Sequence, residues 1–299
     1  MTTRPRKQFG QHWLRSDRIL NQIVKAADLK PSDRLLEIGP GTGILTARLL
    51  PLVEALVAVE IDRDLCKTLV QKFRQAENFL LLEGDILSLD VNANLANFPR
   101  WQQANKVVAN IPYYITGPIL ELLLGAIATP NPKPYDAIVL LVQKEVADRL
   151  CAKPGSRAFG ALSVRVQYLA TCELICHVPA KAFQPPPKVD SAVVRLKPRP
   201  IEPPAEDPAW LDRLVKQGFS AKRKMLRNNI KALIDSAEFL ALLTELGINP
   251  QARAEDLSVA QWIALSNRMQ AQAGVDLDMA AVTAEDENAD AEEEDDEQE

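Results

Sequence analysis

The sequence predicts a doubly wound α/β sheet followed by a small all-α unit, and three observations carry that expectation. Short β-branched or leucine-rich runs alternate with helical patterns through the first half of the chain. One of those runs passes directly into Gly39-Pro40-Gly41-Thr42-Gly43 and then into a helical pattern. Beyond a proline-rich stretch from Pro198 to Pro208 only helical patterns remain.

In chain order, Arg4 to Leu14 sets basic residues beside aromatics ahead of any strong periodicity and reads as an ordered arm. A helix is expected from Ser16 or Asp17, either of which caps it, with Ile19, Leu20, Ile23 and Val24 at helical spacing. Arg34 to Ile38 is a strand that runs into the glycine-rich turn. There the backbone bends tightly and approaches a ligand, and the helix that follows exposes amide donors. The spacing is G-x-G-x-G rather than the dinucleotide fingerprint G-x-G-x-x-G, which argues against a nicotinamide cofactor. Val57 to Asp62 is a second strand, and Glu60 near its end stands where a carboxylate binds both ribose hydroxyls. Phe79 to Ile86 gives a third strand closed by Asp85, placed to meet an adenine amino group.

Val107-Val108-Ala109-Asn110-Ile111-Pro112-Tyr113-Tyr114 is the fourth strand and its end. Ligands of open α/β sheets sit beyond such ends. Asn110 offers an acceptor and two donors, and the Ile111 carbonyl is freed from the ladder by the proline after it, so two acceptors converge on an amino group. Tyr113 adds a flat face for stacking on an extruded base. Standing alone, Asn-x-Pro-Tyr is more simply a turn that caps a strand; its place after the glycine turn, Glu60 and Asp85 favours the functional reading. Helical segments at Ala47–Leu50, Leu65–Phe73 and Ile119–Ala128 separate these strands, and Ala137 to Gln143 and Leu162 to Leu169 are expected to be further strands. Lys153 to Arg157 reads as a mobile basic loop, and Phe183-Gln184-Pro185-Pro186-Pro187-Lys188 as a rigid extended connection. After the prolines, helices are expected at Trp210–Phe219, Leu226–Ile234, Glu238–Leu246 and Ser258–Arg268. Lys222, Arg223 and Lys224 cluster cations there, on a helical pattern that suits an RNA backbone or is merely solvated.

Composition bounds the alternatives. The 299 residues hold one large domain and a small one, and the longest apolar run, Ala137 to Val142, is too short to cross a bilayer. Met1 to Lys7 carries charge without an apolar stretch, so neither export nor membrane insertion is expected. Cys66, Cys151, Cys172 and Cys176 form no paired framework, which fits a reducing cytosol. Cys172, Cys176 and His177 suggest a metal less than they suggest a core strand with both cysteines on one face, and no metal site is expected. The net charge of −5 hides an asymmetry: eleven acidic residues lie between Glu285 and Glu299, and without them 35 basic face 29 acidic side chains. A basic body with an acidic, disordered tail is the electrostatic footprint of a nucleic-acid binder.

Gly-Pro-Gly-Thr-Gly, the Glu60 strand, Gly84-Asp85 and Asn110-Ile111-Pro112-Tyr113 stand in the order found in class I S-adenosylmethionine methyltransferases, and the last motif resembles the amino-directed N6-adenine enzymes among them. Lys7-Gln8-Phe9-Gly10-Gln11, Gln143 to Arg149 and Phe183 to Ser191 are similar to the KsgA (RsmA) family of small-subunit rRNA adenine dimethyltransferases, closely over about the first two hundred residues and onward through the next seventy. The resemblance implies a Rossmann-like methyltransferase domain over 1–197 with the arm, a linker over 198–208, a helical RNA-binding unit over 209–272 and a tail over 273–299. It implies S-adenosyl-L-methionine held by His12, Leu14, Gly39, Gly41, Glu60, Asp85 and Asn110. Catalysis falls on Asn110, Ile111, Pro112 and Tyr113, and substrate contacts on Tyr113, Phe183 as a second stacking face, Lys222 and Arg223. Two adjacent adenosines near the 3′ end of 16S rRNA, within an immature small subunit, are the implied target of a cytoplasmic monomer. The arm departs from the family, with Gln11-His12-Trp13-Leu14 where Gln-Asn-Phe-Leu is usual, which puts the side-chain contact of His12 in question. Two rivals remain open at this point: a large-subunit rRNA adenine N6-methylase, and a non-catalytic assembly or transcription factor on the same fold.

If the basic body drives RNA binding, deleting residues 285–299 leaves methylation intact or tightens RNA binding at low salt, because it removes like-charge repulsion of phosphate. Binding isotherms at two salt concentrations check this, and loss of activity on deletion would assign the tail a different role.

Overall fold

The computed structural model describes Arg6 and residues 11–273; Lys7 to Gly10 and the acidic tail lie outside the described residues. The chain runs β1 (Trp13–Leu14), α1 (Asp17–Ala27), β2 (Arg34–Ile38), α2 (Thr46–Leu49), β3 (Ala55–Glu60), α3 (Arg63–Lys72), β4 (Phe79–Glu83), α4 (Val91–Asn94), β5 (Lys106–Asn110), α5 (Thr116–Leu124) and β6 (Ala137–Gln143). It continues through α6 (Lys144–Leu150), α7 (Ala161–Leu169), β7 (Ala170–Val178), β8 (Phe183–Gln184) and β9 (Ser191–Pro198) to four helices, α8 (Pro208–Gly218), α9 (Leu226–Asn229), α10 (Ser236–Glu245) and α11 (Val259–Ala273).

Seven strands form one sheet in the order β4-β3-β2-β5-β6-β9-β7, parallel from β4 to β6 and antiparallel where β9 enters between β6 and β7. The strand order reverses between β2 and β5, which opens a crevice beyond their carboxyl ends. Both faces are buried, so the central strands read as continuous apolar runs and their residues divide with period two. Leu36, Ile38, Val57, Val59, Val107 and Ala109 pack into one apolar layer, with Ile119 and Leu123 of α5. Leu35, Leu56, Ala58 and Val108 pack into the other, with Ile19 and Ile23 of α1.

Several sequence expectations are corrected. Leu162 to Leu169 is the helix α7, not a strand: Val164, Val166 and Tyr168 mimic a period of two, but Ser163 Oγ accepts the Gly160 amide at 3.0 Å and starts a helical turn. The strand begins only at Ala170. Cys172 and Cys176 do not share a face, because β7 bulges between Leu174 and Cys176; Cys172 packs into the first apolar layer and Cys176 into the second. Lys153 to Arg157 is tied down rather than loose, since the Gly155 amide donates to the Glu255 carbonyl at 2.7 Å.

Leu226 to Ile234 is helical only over α9, and the cations Lys222, Arg223 and Lys224 stand on the exposed turn before it rather than on a helix. The proline-rich stretch is docked: Ala205 is buried, Glu206 donates its amide to Asn267 Oδ1 at 3.0 Å, and Asp207 caps α8 by accepting the Trp210 amide at 2.9 Å. The first apolar layer runs on without a break to Trp210, Leu214 and Trp262 of the final helices.

At the amino ends of the strands, Lys106 Nζ meets Asp33 at 2.8 Å, with side-chain exposures of 8% and 5%, and also donates to the Asp28 carbonyl at 2.5 Å. Burial pushes the Asp33 carboxyl up, but hydrogen bonds from Asn105, Lys106 and the Lys30 amide outweigh it and hold it below its ordinary value. Its folded value is depressed, so its stabilisation is present above the unfolded pKa and is lost as pH falls through the folded one. Lys106→Met leaves a buried carboxylate without its cation and is expected to lower stability by about 3–5 kcal/mol in urea denaturation at neutral pH. Cofactor affinity should be unchanged, because Lys106 lies at the opposite end of β5 from Asn110.

Candidate active site

β2, β3, β4 and β5 all end on the same side, and the residues that follow or close them line one cleft: Gly39 and Gly41, Glu60, Asp85, and Asn110 through Tyr114. Pairing Ile38 with both Val59 and Ala109 brings these ends together by register alone. His12 and Trp13 of the arm close the cleft on its remaining side.

The glycine turn is held from three directions. Gly41 has φ +59°, and a Cβ there would lie 3.4 Å from the Trp13 ring, so both conformation and space favour glycine. Its amide donates to Glu60 Oε2 at 3.0 Å, while Glu60 Oε1 accepts the Asp62 amide at 3.0 Å. Behind the turn, Lys72 Nζ donates to the Thr42 and Gly43 carbonyls at 2.8 and 2.9 Å. Gly43 is packed so tightly that a Cβ would come within 2.8 Å of Phe73 and Leu69, so that glycine serves packing against α3 rather than a ligand. Glu60 is buried, and burial raises its pKa against the lowering effect of the Asp62 and Gly41 amides.

Asp85 Oδ1 accepts the Leu87 amide at 3.0 Å. Ile61 is 41% exposed beside Glu60, an apolar wall at the cleft that a flat ring would cover. Asn110 Nδ2 donates to the His12 carbonyl at 3.3 Å, which leaves Oδ1 as an acceptor, and the Ile111 carbonyl accepts no hydrogen bond from any described residue. Tyr113 is anchored through its hydroxyl, 2.6 Å from Ser191 Oγ. Burial raises that phenol, with the Ser191 bond opposing, so it stays protonated and does not act as a base.

Of the residues singled out from sequence, His12, Gly39, Gly41, Glu60, Asp85, Asn110, Ile111, Pro112 and Tyr113 meet at this cleft, and Leu14, Phe183, Lys222 and Arg223 do not line it. Leu14 is buried in the apolar layer that contains α1. Phe183, for which the resemblance implied a second stacking face, is 4% exposed and pairs with Leu14 between β8 and β1, so the arm covers it. Lys222 and Arg223 are exposed on the helical side of the molecule.

Sequence reasoning missed Glu37. It lies one residue before the end of β2, is 1% exposed, and lines a smaller cavity behind the glycine turn with its Oε2 unpartnered among the described residues. An acid between Leu36 and Ile38 in a strand buried on both faces is the signal that could have found it. Burial pushes its carboxyl up to about 8; Glu60 adds to the rise, and Thr46 and Lys72 oppose it. The folded pKa lies above the ordinary 4.5, so its contribution to stability is complete below about 4.5 and is lost as pH rises through about 8. Glu37→Gln is therefore expected to flatten the fall in melting temperature across that window, leaving the variant at least as stable as the parent at alkaline pH. Equal pH slopes in calorimetric scans of the two proteins would contradict the buried neutral acid.

The family model for ribosomal RNA adenine dimethylase matches residues 2–271. Ribosomal RNA small subunit methyltransferase A of Trichormus variabilis is 69% identical over 264 residues, covering 88% of this chain and 97% of its own. The protein of the same name from a Nostoc species is 66% identical with the same coverage. Among solved structures, a dimethyladenosine transferase from Plasmodium falciparum is similar with TM-score 0.71 at 27% identity, covering 87% of this chain and 98% of that one. The 23S rRNA methyltransferase ErmE is similar with TM-score 0.70 at 26% identity, covering 86% and 99%.

Proposed function

The chain belongs to the ribosomal RNA adenine dimethylase family, and on that premise we propose that it methylates N6 of two adjacent adenosines in a 3′-terminal hairpin loop of 16S rRNA, yielding N6,N6-dimethyladenosines. It is an S-adenosylmethionine-dependent methyltransferase with the class I α/β fold. The observation that carries the reading is the meeting, at one strand-order reversal, of the glycine turn, Glu60, Asp85 and two acceptors on Asn110 and Ile111. The large-subunit alternative is weaker, because the relatives at 60–69% identity carry the small-subunit name while ErmE is 26% identical.

The cleft fits S-adenosyl-L-methionine. Glu60 is placed for the ribose hydroxyls, Asp85 for the adenine edge, Ile61 for its face, and Gly39 and Gly41 allow close backbone approach. When bound, the cofactor supplies a methyl group activated by its sulfonium. The protein's part is positioning, which suits a transfer that needs no covalent enzyme intermediate. The N6 lone pair is delocalised into the adenine ring. Asn110 Oδ1 and the Ile111 carbonyl accept hydrogen bonds from its N–H groups, two in the first transfer and one in the second, favour the pyramidal nitrogen that reacts, and so stabilise the transition state more than the ground state; the proton displaced by each methyl group leaves to solvent. The bond from Asn110 Nδ2 to the His12 carbonyl fixes which end of the amide faces the substrate. Tyr113 contributes a face, and Pro112 frees the carbonyl before it.

Helices α8 to α11 form the accessory RNA-binding unit in this reading, with Lys222 and Arg223 meeting phosphate. The immature small subunit is the partner and the enzyme works as a cytoplasmic monomer. No described helix is long and apolar enough to cross a membrane.

Single-turnover methylation of purified, unmodified small subunits, with mono- and dimethyladenosine resolved by mass spectrometry, tests the assignment. Asn110→Ala is expected to slow transfer about 100-fold or more, the scale of losing one transition-state hydrogen bond, with RNA affinity nearly unchanged. A wild-type protein that leaves 16S rRNA unmodified would sink the reading.

A further inference from the structure

Four cations lie along the ribbon of β1 and β8 with no part in the cleft. Arg15 and Arg18 follow the arm, Lys181 precedes β8 and Lys188 lies between β8 and β9, and all four are exposed. We propose that they form a track for an RNA backbone, leading one strand of the substrate to the mouth of the cleft. The proposal rests on the adenine-N6 reading above and gives its substrate a contact surface on the methyltransferase domain, apart from α8 to α11.

The fold gathers these side chains from two distant stretches. The Arg15 amide donates to the Ala182 carbonyl at 2.9 Å, which continues the pairing of Trp13 with Gln184 and of Leu14 with Phe183 and sets Arg15 beside Lys181. Arg18 stands in the first turn of α1; burial raises the Cys176 thiol of β7, and the Arg18 charge is close enough to oppose it. Lys188 marks the cleft end of the track. It lies between Pro185, whose carbonyl is 2.9 Å from His12 Nδ1, and Ser191, whose Oγ is 2.6 Å from the Tyr113 hydroxyl. Arg15 is separated from His12, a lining residue of the cleft, by at most about 10 Å of extended chain. The carboxylates of the same elements are already engaged, Asp17 with Arg48, Glu173 with Arg195 and Asp190 with the Ala180 amide at 2.8 Å, which leaves the four cations without an ion-pair partner among the described residues. Gathered like charges repel, and a cation in the first turn of a helix is opposed by the backbone dipole, so the arrangement adds nothing to stability and a polyanion relieves it. Phosphate contacts set position while base contacts set specificity, which matches a cationic line that ends where Asn110 and the Ile111 carbonyl meet the base.

The test removes charge and keeps the backbone bonds: Arg15→Gln, Arg18→Gln and Lys181→Gln are combined in the full chain, and Lys188→Gln is added in a second variant. Binding of a protein-free RNA hairpin, followed by fluorescence anisotropy over a salt series, is expected to lose about 0.7–0.9 from the slope of log affinity against log salt for each cation removed. In single-turnover methylation of unmodified small subunits at about 0.1 M salt, the triple variant is expected to need about ten-fold more subunit for half-maximal rate, with the rate at saturation unchanged. Calorimetric titration with S-adenosylhomocysteine should give the parent's affinity, and the melting temperature should not fall. Three results overturn the inference: an unchanged salt slope together with unchanged substrate dependence, a loss of cofactor affinity or melting temperature that accounts for the effect, or a defect confined to whole subunits with hairpin binding intact, which would assign the surface to an acidic protein. A wild type that leaves 16S rRNA unmodified would instead remove the adenine-N6 reading, while the hairpin measurement would still decide the track.

Discussion

A single hydrogen bond, from the Gly41 amide to the Glu60 carboxylate, ties the functional end of the sheet together. A carboxylate so deeply placed is costly unless donors meet it, and here both donors are backbone amides from neighbouring turns. The turn after β2 and the acid at the end of β3 therefore define one another: the acid is solvated by the turn, and the turn is shaped by the acid. Lys72 grips the Thr42 and Gly43 carbonyls of the same turn, so the turn is held from outside as well as by Glu60. Arg6 and Gln11 of the arm then fasten to Asp62, two residues beyond Glu60, at 3.4 and 3.0 Å.

The two ends of the sheet divide the labour. At the carboxyl ends, polar groups such as Asn110 Oδ1 and the Ile111 carbonyl accept no hydrogen bond from the described residues and are available to a ligand. At the amino ends, Asp33, Lys106 and Asn105 satisfy one another, and Asn105 reaches Asp136 as well at 2.8 Å. Stability and chemistry are thereby built on opposite edges of the same strands.

What could be read from the sequence was whatever depends on neighbours in the chain. The glycine turn, Glu60, Asp85 and Asn110 were legible because each is a strand end followed by its own turn, and parallel pairing then brings them together. The roof of the cleft was not legible, since the contacts of His12 with Pro185 and of Tyr113 with Ser191 join residues far apart in sequence. Local pattern also misled where tertiary context overrode it: α7 carries a strand's alternation, and a bulge in β7 sends two cysteines to opposite faces. Phe183 was singled out by resemblance alone, and no local pattern could show that pairing with Leu14 buries it.

The ribbon formed by β1 and β8 has a consequence for how the protein is made. The floor of the cleft is finished once the ribosome has passed Tyr114, yet its roof joins His12 near the start of the chain to Pro185, and Tyr113 to Ser191. A nascent chain thus carries every cofactor-facing strand end for some seventy residues of further synthesis before the arm has a strand to pair with. Closure of so long a loop comes late in folding, because its entropy must be overcome before the pairing offsets it. The strands that wall the site are thus synthesised well before the segment that its arm must pair with.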